Sequence, residues 1–167
     1  MPRADGHQRT GEDVGPPGLA MRTIRPLRQG DLDDVLRIEN SSFSCPWPAE
    51  AFKEMPFTES FVICEDGRLA GYIMFHNVID ESVIINLAID PDCRRRGFAE
   101  ELLRDTLQGL TERGFNRFFL DVRASNLAAQ NLYRKFGFAA RGRRKAYYSQ
   151  PDEDAIIMVK TIDGEQL

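Results

Sequence analysis

The spacing of apolar residues changes several times along the chain, and each change marks an element. RTIRPL (22–27) alternates and predicts a strand. In GDLDDVLRIENSSF (30–43), Leu32, Val35, Leu36 and Ile38 recur at helical spacing, which predicts an amphipathic helix with Asp31 as its N-cap. SCPWP breaks it, and AEAFKEM predicts a short second helix stopped by Pro56. SFVICE (60–65) and RLAGYIMFHNV (68–78) predict a hairpin turning at Asp66-Gly67. SVIINLAID (82–90) is almost wholly apolar and β-branched, so it predicts a central strand buried on both faces. Phe98, Leu102, Leu103, Thr106 and Leu110 share one helical face, and Gly114 ends that helix. NRFFLDV (116–122) predicts a strand, NLAAQNLYRKF (126–136) a helix, and FAARGRRKAYY (138–148) with EDAIIMVKTI (153–162) a closing strand pair.

The order is β-α-α-β-β-β-α-β-α-β-β. Hairpins make some strands antiparallel neighbours and helices carry others across, so the fold class is α/β, a mixed sheet with helices on its faces. Residues 1–20, rich in Gly, Pro and charge with no apolar period, read as a disordered extension. Residues 21–162 form a single domain and 163–167 a tail. The chain's 167 residues, 42% hydrophobic and 29% charged, suit one soluble domain with its own core.

Charge and cysteine content narrow the function classes. A formal net charge of −4 argues against a general nucleic-acid binder. Cys45, Cys64 and Cys93 are odd in number and lack C-x-x-C spacing, which predicts free thiols rather than a disulfide framework or a zinc site. His7 and His76 are isolated, so no metal is expected. No apolar run reaches the roughly 18 residues that span a bilayer, and the N-terminus lacks an apolar signal core, which predicts a cytoplasmic protein.

Against that acidic total, DPDCRRRGFAEELL (90–103) places three arginines between a strand and a helix. The first N–H groups of a helix have no intrahelical partner and the dipole there is positive, which favours an anion. Backbone N–H groups from Arg95 through Gly97 and Phe98 to Ala99 would cradle phosphate oxygens, and Arg94, Arg95 and Arg96 would add charge-assisted bonds. Taken by itself, the stretch also reads as a solvated basic turn. The chain has neither the G-x-x-x-x-G-K-[ST] nor the G-x-G-x-x-G phosphate motif.

R-x-x-G-x-A after AIDPDC resembles the acyl-CoA pyrophosphate loop of the GNAT N-acetyltransferases, Q/R-x-x-G-x-G/A, and the element order is similar to theirs across residues 21–162. NLAIDP, LDVRASNLAAQNLYRKFGF and RRKAYY with EDAIIM resemble the RimI-like branch of that family more narrowly. The resemblance implies a mostly antiparallel twisted sheet with one splayed parallel pair, and acetyl-CoA as co-substrate. It implies a protein N-terminal amine as acceptor, in this branch the N-terminal alanine of small-subunit ribosomal protein eighteen. It also implies that backbone groups of Leu87, Ala88 and Ile89 pair with the pantetheine arm, that Tyr133 protonates the departing thiolate, and that Asp121 takes the ammonium proton. The branch usually carries glutamate at that last position, and aspartate is one methylene shorter. Asn126 reads as a helix N-cap, with a cofactor contact implied by the resemblance; Asn131 and Arg134 are implied as further contacts.

On the acceptor side the resemblance assigns groove walls to NSSFSCPWPAEAF and the last hairpin. Tyr147, Tyr148, Glu153 and Asp154 fall there, the acids suiting a basic residue after the acceptor amine; a solvated turn is the competing reading. Trp47 reads as packing. RGRRK (141–145) is a second basic cluster with no assigned partner. Three rivals stay open: a small-amine or lysine-side-chain acetyltransferase, a non-catalytic acyl-CoA-binding module, and a nucleic-acid binder whose affinity collapses with salt.

Overall fold

A computed structural model describes residues 18–53 and 55–163. Residues 1–17 of the expected extension and 164–167 of the expected tail lie outside the described residues. The elements run β1 (Arg22–Pro26), a 3-10 turn (Gln29–Asp31), α1 (Leu32–Ser42), α2 (Ala49–Lys53), β2 (Thr58–Glu65), β3 (Arg68–Val78) and β4 (Glu81–Ile89). A second 3-10 turn (Pro91–Cys93), α3 (Phe98–Glu112), β5 (Arg117–Arg123), α4 (Leu127–Lys135), β6 (Ala139–Tyr148) and β7 (Glu153–Thr161) follow.

The strands form one sheet in the order β1-β2-β3-β4-β5-β7-β6. Every pairing is antiparallel except that of β4 with β5. This is the mixed sheet that the element order predicts, and it is mostly antiparallel with one parallel pair, as the family resemblance implies. Two apolar clusters cover its faces. On one, Phe98, Leu102, Leu103, Leu107 and Leu110 of α3 pack on Ile63, Ile73, Phe75, Ile84, Phe118, Leu120 and Met158. On the other, Val35 and Ile38 of α1 pack on Val62, Cys64, Leu69, Tyr72 and Ala88.

The parallel pair is short. β4 and β5 are in register only from Glu81 opposite Arg117 to Ile84 opposite Leu120, and beyond that point they part. The ladder between β3 and β4 slips at the same level: Met74 faces Asn86, but Phe75 faces Ile84, so Ile85 is an extra residue. One inserted residue moves every later side chain to the opposite face. Ile84 accordingly joins the α3 cluster, and Leu87 and Ile89, an odd number of residues on, pack against that same cluster while Ala88 joins the α1 cluster.

Three expectations need correction. β4 sends buried residues to both faces, Ile84 to the α3 cluster and Ala88 to the α1 cluster, but it is not buried throughout, since Leu87 and Ile89 are half-buried. The strand also ends at Ile89, and Asp90 instead caps the next turn by accepting from the Asp92 N–H. Asp31 stands at the N-cap of α1 but makes no capping hydrogen bond. Its carboxylate is drawn back onto the Arg25 guanidinium, at 2.7 and 2.9 Å, and onto the Arg28 N–H.

Candidate active site

The end of β4 delivers the chain into the arginine loop. Asp90, 1% exposed, fixes the corner: it accepts from the Asp92 N–H and from Arg37 of α1 at 2.9 Å. Burial alone would raise its pKa, but the Asp92 amide and the Arg37 guanidinium outweigh burial and hold it below the ordinary value. The loop then turns through two left-handed residues, Arg95 (φ 62°) and Gly97 (φ 81°), before α3 begins at Phe98. Glycine adopts that conformation freely, whereas arginine does so at a cost of order 1 kcal/mol. Strain held in a loop at a helix start marks a built site. A cleft of about 230 Å³ opens there, lined by Ile89, Arg94, Arg95, Gly97, Ala99 and Leu132 among others.

The three arginines have separate fates. Arg94 is tied by its Nε to the Ile89 carbonyl and by a terminal nitrogen to Ser42 Oγ at the end of α1. Arg96 donates to both carboxylate oxygens of Glu65 on β2 and lies over the Phe98 ring, 5.1 Å from its centroid. It does not line the cleft. Arg95 lines the cleft and makes no hydrogen bond or ion pair to another described residue. Of the three arginines, Arg95 is without a described partner, Arg94 is partly tied and Arg96 is paired with Glu65. Phe98, 1% exposed, is core under Arg22 and Arg96; only its backbone is available to a ligand.

Where β4 and β5 part, Leu87, Ala88 and Ile89 lose the neighbour that Glu81–Ile84 have, so their β5-facing edge carries no ladder partner. Gly71 of β3 stands opposite Ile89; a Cβ built on it would lie 2.7 Å from the Ala88 carbonyl oxygen and 2.4 Å from Ile89 Cδ1. Strand alternation sends Leu120 and Val122 to the α3 cluster and Asp121 to the other face. The Asp121 carboxylate meets Arg144 Nε of β6 at 3.4 Å.

Tyr133 of α4 enters from the α3 side. It is 7% exposed and stacks edge-on against Phe138, and its hydroxyl makes no hydrogen bond to a described residue. Burial, and then the charge of Tyr148, raise its pKa well above the ordinary phenol value. Tyr148 is itself pushed up to about 12 by burial, then by Asp121. Tyr148 therefore lies within electrostatic reach of both Asp121 and Tyr133.

The remaining expected residues serve the frame. Asn126 caps α4, its Oδ1 accepting from the Ala129 N–H at 3.1 Å. Arg134 donates to Asn131 Oδ1 and to Gln130. Glu153 accepts from the Ser125 N–H and from Arg123, whose guanidinium covers the Tyr148 ring at 4.4 Å. Asp154 accepts from Arg143 and from the Ala146 N–H, inside the irregular stretch of β6. Both acids hold the hairpin together; neither is a solvated turn residue.

One group beside β4 goes unassigned in the sequence reading. Glu39 of α1 is 0% exposed and accepts from the Tyr72 hydroxyl, from Asn86 Nδ2 at 2.8 Å and from the Trp47 N–H at 2.8 Å. Its spacing, seven residues after Leu32 and four after Val35, puts an acid on the apolar face of α1, and that is the signal that could have found it. The fold adds that its three donors converge from β3, β4 and the α1–α2 loop.

An acyl-CoA needs a backbone-lined anion seat and a strand edge open to its amide-bearing arm. The left-handed loop before α3, the free Arg95 and the unpaired edge of β4 supply both. The sequence pattern of the acetyltransferase (GNAT) family matches residues 32–138. The ribosomal protein bS18-alanine N-acetyltransferase of Escherichia coli K12 is 36% identical over 146 residues, which cover 85% of this chain and 99% of that protein. A Bacillus subtilis protein, provisionally given the same name, is 42% identical over 144 residues, 84% of this chain and 95% of the relative. The crystal structure of the ribosomal-protein-S18-alanine N-acetyltransferase from Escherichia coli superposes with a TM-score of 0.80 at 35% identity, covering 88% of this chain and 99% of that one. On fold, loop and sequence together, this chain belongs to the GNAT family of acetyltransferases, enzymes whose acetyl donor is acetyl-CoA.

Proposed function

We propose that this protein acetylates the N-terminal alanine of ribosomal protein bS18, in the cytoplasm, with no nucleic acid required. The observation that carries the reading is the unpaired edge of β4 next to the arginine loop, and it is supported by a carboxylate, Asp121, on one face of β5 and a buried phenol, Tyr133, in the cluster on the other. Relatives at 36% and 42% identity that bear the bS18-alanine name supply the acceptor.

Acetyl-CoA, when bound, supplies an acetyl group activated as a thioester. The chain's own part is to hold, orient and move protons. Arg95 and the backbone from Gly97 to Ala99 grip the diphosphate, and the open edge of Leu87–Ile89 aligns the arm. Asp121 takes a proton from the acceptor's ammonium, directly or through one water, leaving a neutral amine able to attack. The amine forms a bond to the thioester carbonyl carbon, the C–S bond breaks, and the Tyr133 hydroxyl gives its proton to the sulfur. Burial raises the basicity of phenolate and thiolate alike, so the transfer is governed by the desolvated pair rather than by their values in water. As the amide forms, its nitrogen gives up a second proton, which restores the Tyr133 phenol through water, while Asp121 releases the first to solvent, so that ammonium and thioester become amide, thiol and one free proton.

The test is incubation of the purified protein with acetyl-CoA and two peptides. One begins Ala-Arg like the ribosomal acceptor; the other has a blocked N-terminus and an internal lysine. Mass and site of acetylation are read. Transfer to the free alanine amine alone is expected. Transfer to the lysine peptide instead, or to neither, would overturn the reading.

A further inference from the structure

We infer that Glu39 is a positioning residue for the acceptor, tying the wall of the acceptor groove to the strand that holds the donor. This rests on the function proposed above. A carboxylate in a fully buried place needs its oxygens satisfied, and Glu39 satisfies them with three donors from three elements. Oε2 receives the Tyr72 hydroxyl of β3 and the Asn86 side chain of β4, the first residue after the extra Ile85. Oε1 receives the backbone N–H of Trp47, in the loop joining α1 to α2.

The two sides depend on Glu39 unequally. β4 keeps its ladder with β3 from Gly71 opposite Ile89 to Val78 opposite Glu81, whatever happens to Glu39. The loop from Phe43 to Pro48 has no ladder. Besides the Trp47 bond, its described hydrogen bond to the rest of the sheet is a long one, 3.7 Å, from Cys45 Sγ to Gln150. Loss of the carboxylate therefore frees the loop and leaves the strand. Glutamine in place of Glu39 exposes the donors to this directly, because its NH2 group faces either the Trp47 N–H or the Tyr72 and Asn86 donors.

The experiment compares wild type with Glu39→Gln on the Ala-Arg peptide. The acceptor KM is expected to rise about 10-fold or more, with the acetyl-CoA Kd within about twofold and the pH profile of kcat unchanged, this being the size of effect of one charge-assisted hydrogen bond. An unchanged acceptor KM would overturn the inference. So would loss of kcat by about 100-fold or more at saturating peptide together with a limb of the pH profile, which would make Glu39 a proton carrier instead. Two readings need no turnover, and the second needs no variant. Trp47 is the sole tryptophan of the chain, so acrylamide quenching of its fluorescence should increase in Glu39→Gln. In the wild type the Trp47 amide should exchange with deuterium at least about 10-fold more slowly than those of Ser44 and Cys45. Equal rates would overturn the inference even if the protein acetylated neither peptide, an outcome that by itself would overturn only the proposed acceptor.

Discussion

Arg95 and Arg96 are adjacent and chemically identical, yet the fold surrounds them differently: Arg95 lines the cleft with no described partner, and Arg96 is paired with Glu65. Arg95→Ala should raise the acetyl-CoA Kd about 10-fold while leaving Tm within a degree or two, since it removes a free guanidinium from the cleft. Arg96→Ala should do the reverse: up to about 1 kcal/mol of stability lost with the Glu65 pair, and little change in affinity. Calorimetric titration and thermal melts of the two variants separate these outcomes. At the chemical centre, Tyr133→Phe should lower kcat by about 10²–10⁴-fold with little change in acetyl-CoA affinity, and Asp121→Ala should lose most activity near neutral pH. Wild-type turnover in either variant would remove that residue from the mechanism. The pattern R-x-x-G-x-A locates this loop in the sequence, but it cannot divide the labour among its arginines. That division depends on Glu65, 31 positions earlier, which only the sheet brings near. Glu39 was marked by helical spacing as an acid on the apolar face of α1, but its donors on β3 and β4 lie 33 and 47 positions away.

Elements were legible because their apolar periods were clean. The helix faces of α1 and α3, the β2–β3 hairpin and the α4 cap at Asn126 all follow from spacing and capping chemistry. The extra residue in β4 did not follow, because an unbroken apolar run has no alternation in which a slip can be seen. Gly71 is legible only in retrospect, as a glycine inside a strand where the backbone of its neighbour comes close. Gly71→Ala should therefore destabilise the protein by about 1–3 kcal/mol by pressing on Ala88 and Ile89. The same pressure should weaken acetyl-CoA binding, because those two residues form the open edge. A denaturant melt and a Kd measured on the folded fraction check both parts. At the far edge of the sheet, β6 carries Arg141, Arg143, Arg144 and Lys145 along an exposed strand, a composition that discourages pairing with other chains.

For the molecule as a whole, Asp31 and Asp90 both contribute to its response to acid. Asp31 is held below its ordinary value of 3.8 chiefly by the Arg25 side-chain hydrogen bond, and Asp90 is held below the same value by the Asp92 amide and Arg37. A depressed pKa gives stability that is complete above the unfolded value and lost as pH falls through the folded one. Tm should be nearly flat from pH about 5 upward and should fall steeply below about 4. Asp31→Asn should flatten part of that slope. At the other end, Tyr148, raised from 10.0 to about 12, contributes stability that is full below pH 10 and lost as pH climbs towards 12. Melting curves across both ranges test the signs.

Ile85 has a last consequence, at the level of the gene. Its side chain is only half-buried, so Val or Leu should be accepted there with little effect. Removing its codon is another matter. Deletion would leave Asn86 directly after Ile84, and since these already pair with Met74 and Phe75, each later side chain would keep its face, Asn86 towards Glu39 and Leu87 and Ile89 towards the α3 cluster. What would be lost is the bulge itself, with its local bend and twist, at the level where β4 leaves β5. A library of substitutions should score position 85 as permissive for stability and activity alike, while a library of single-residue deletions should score it as folded but weakened in acetyl-CoA binding.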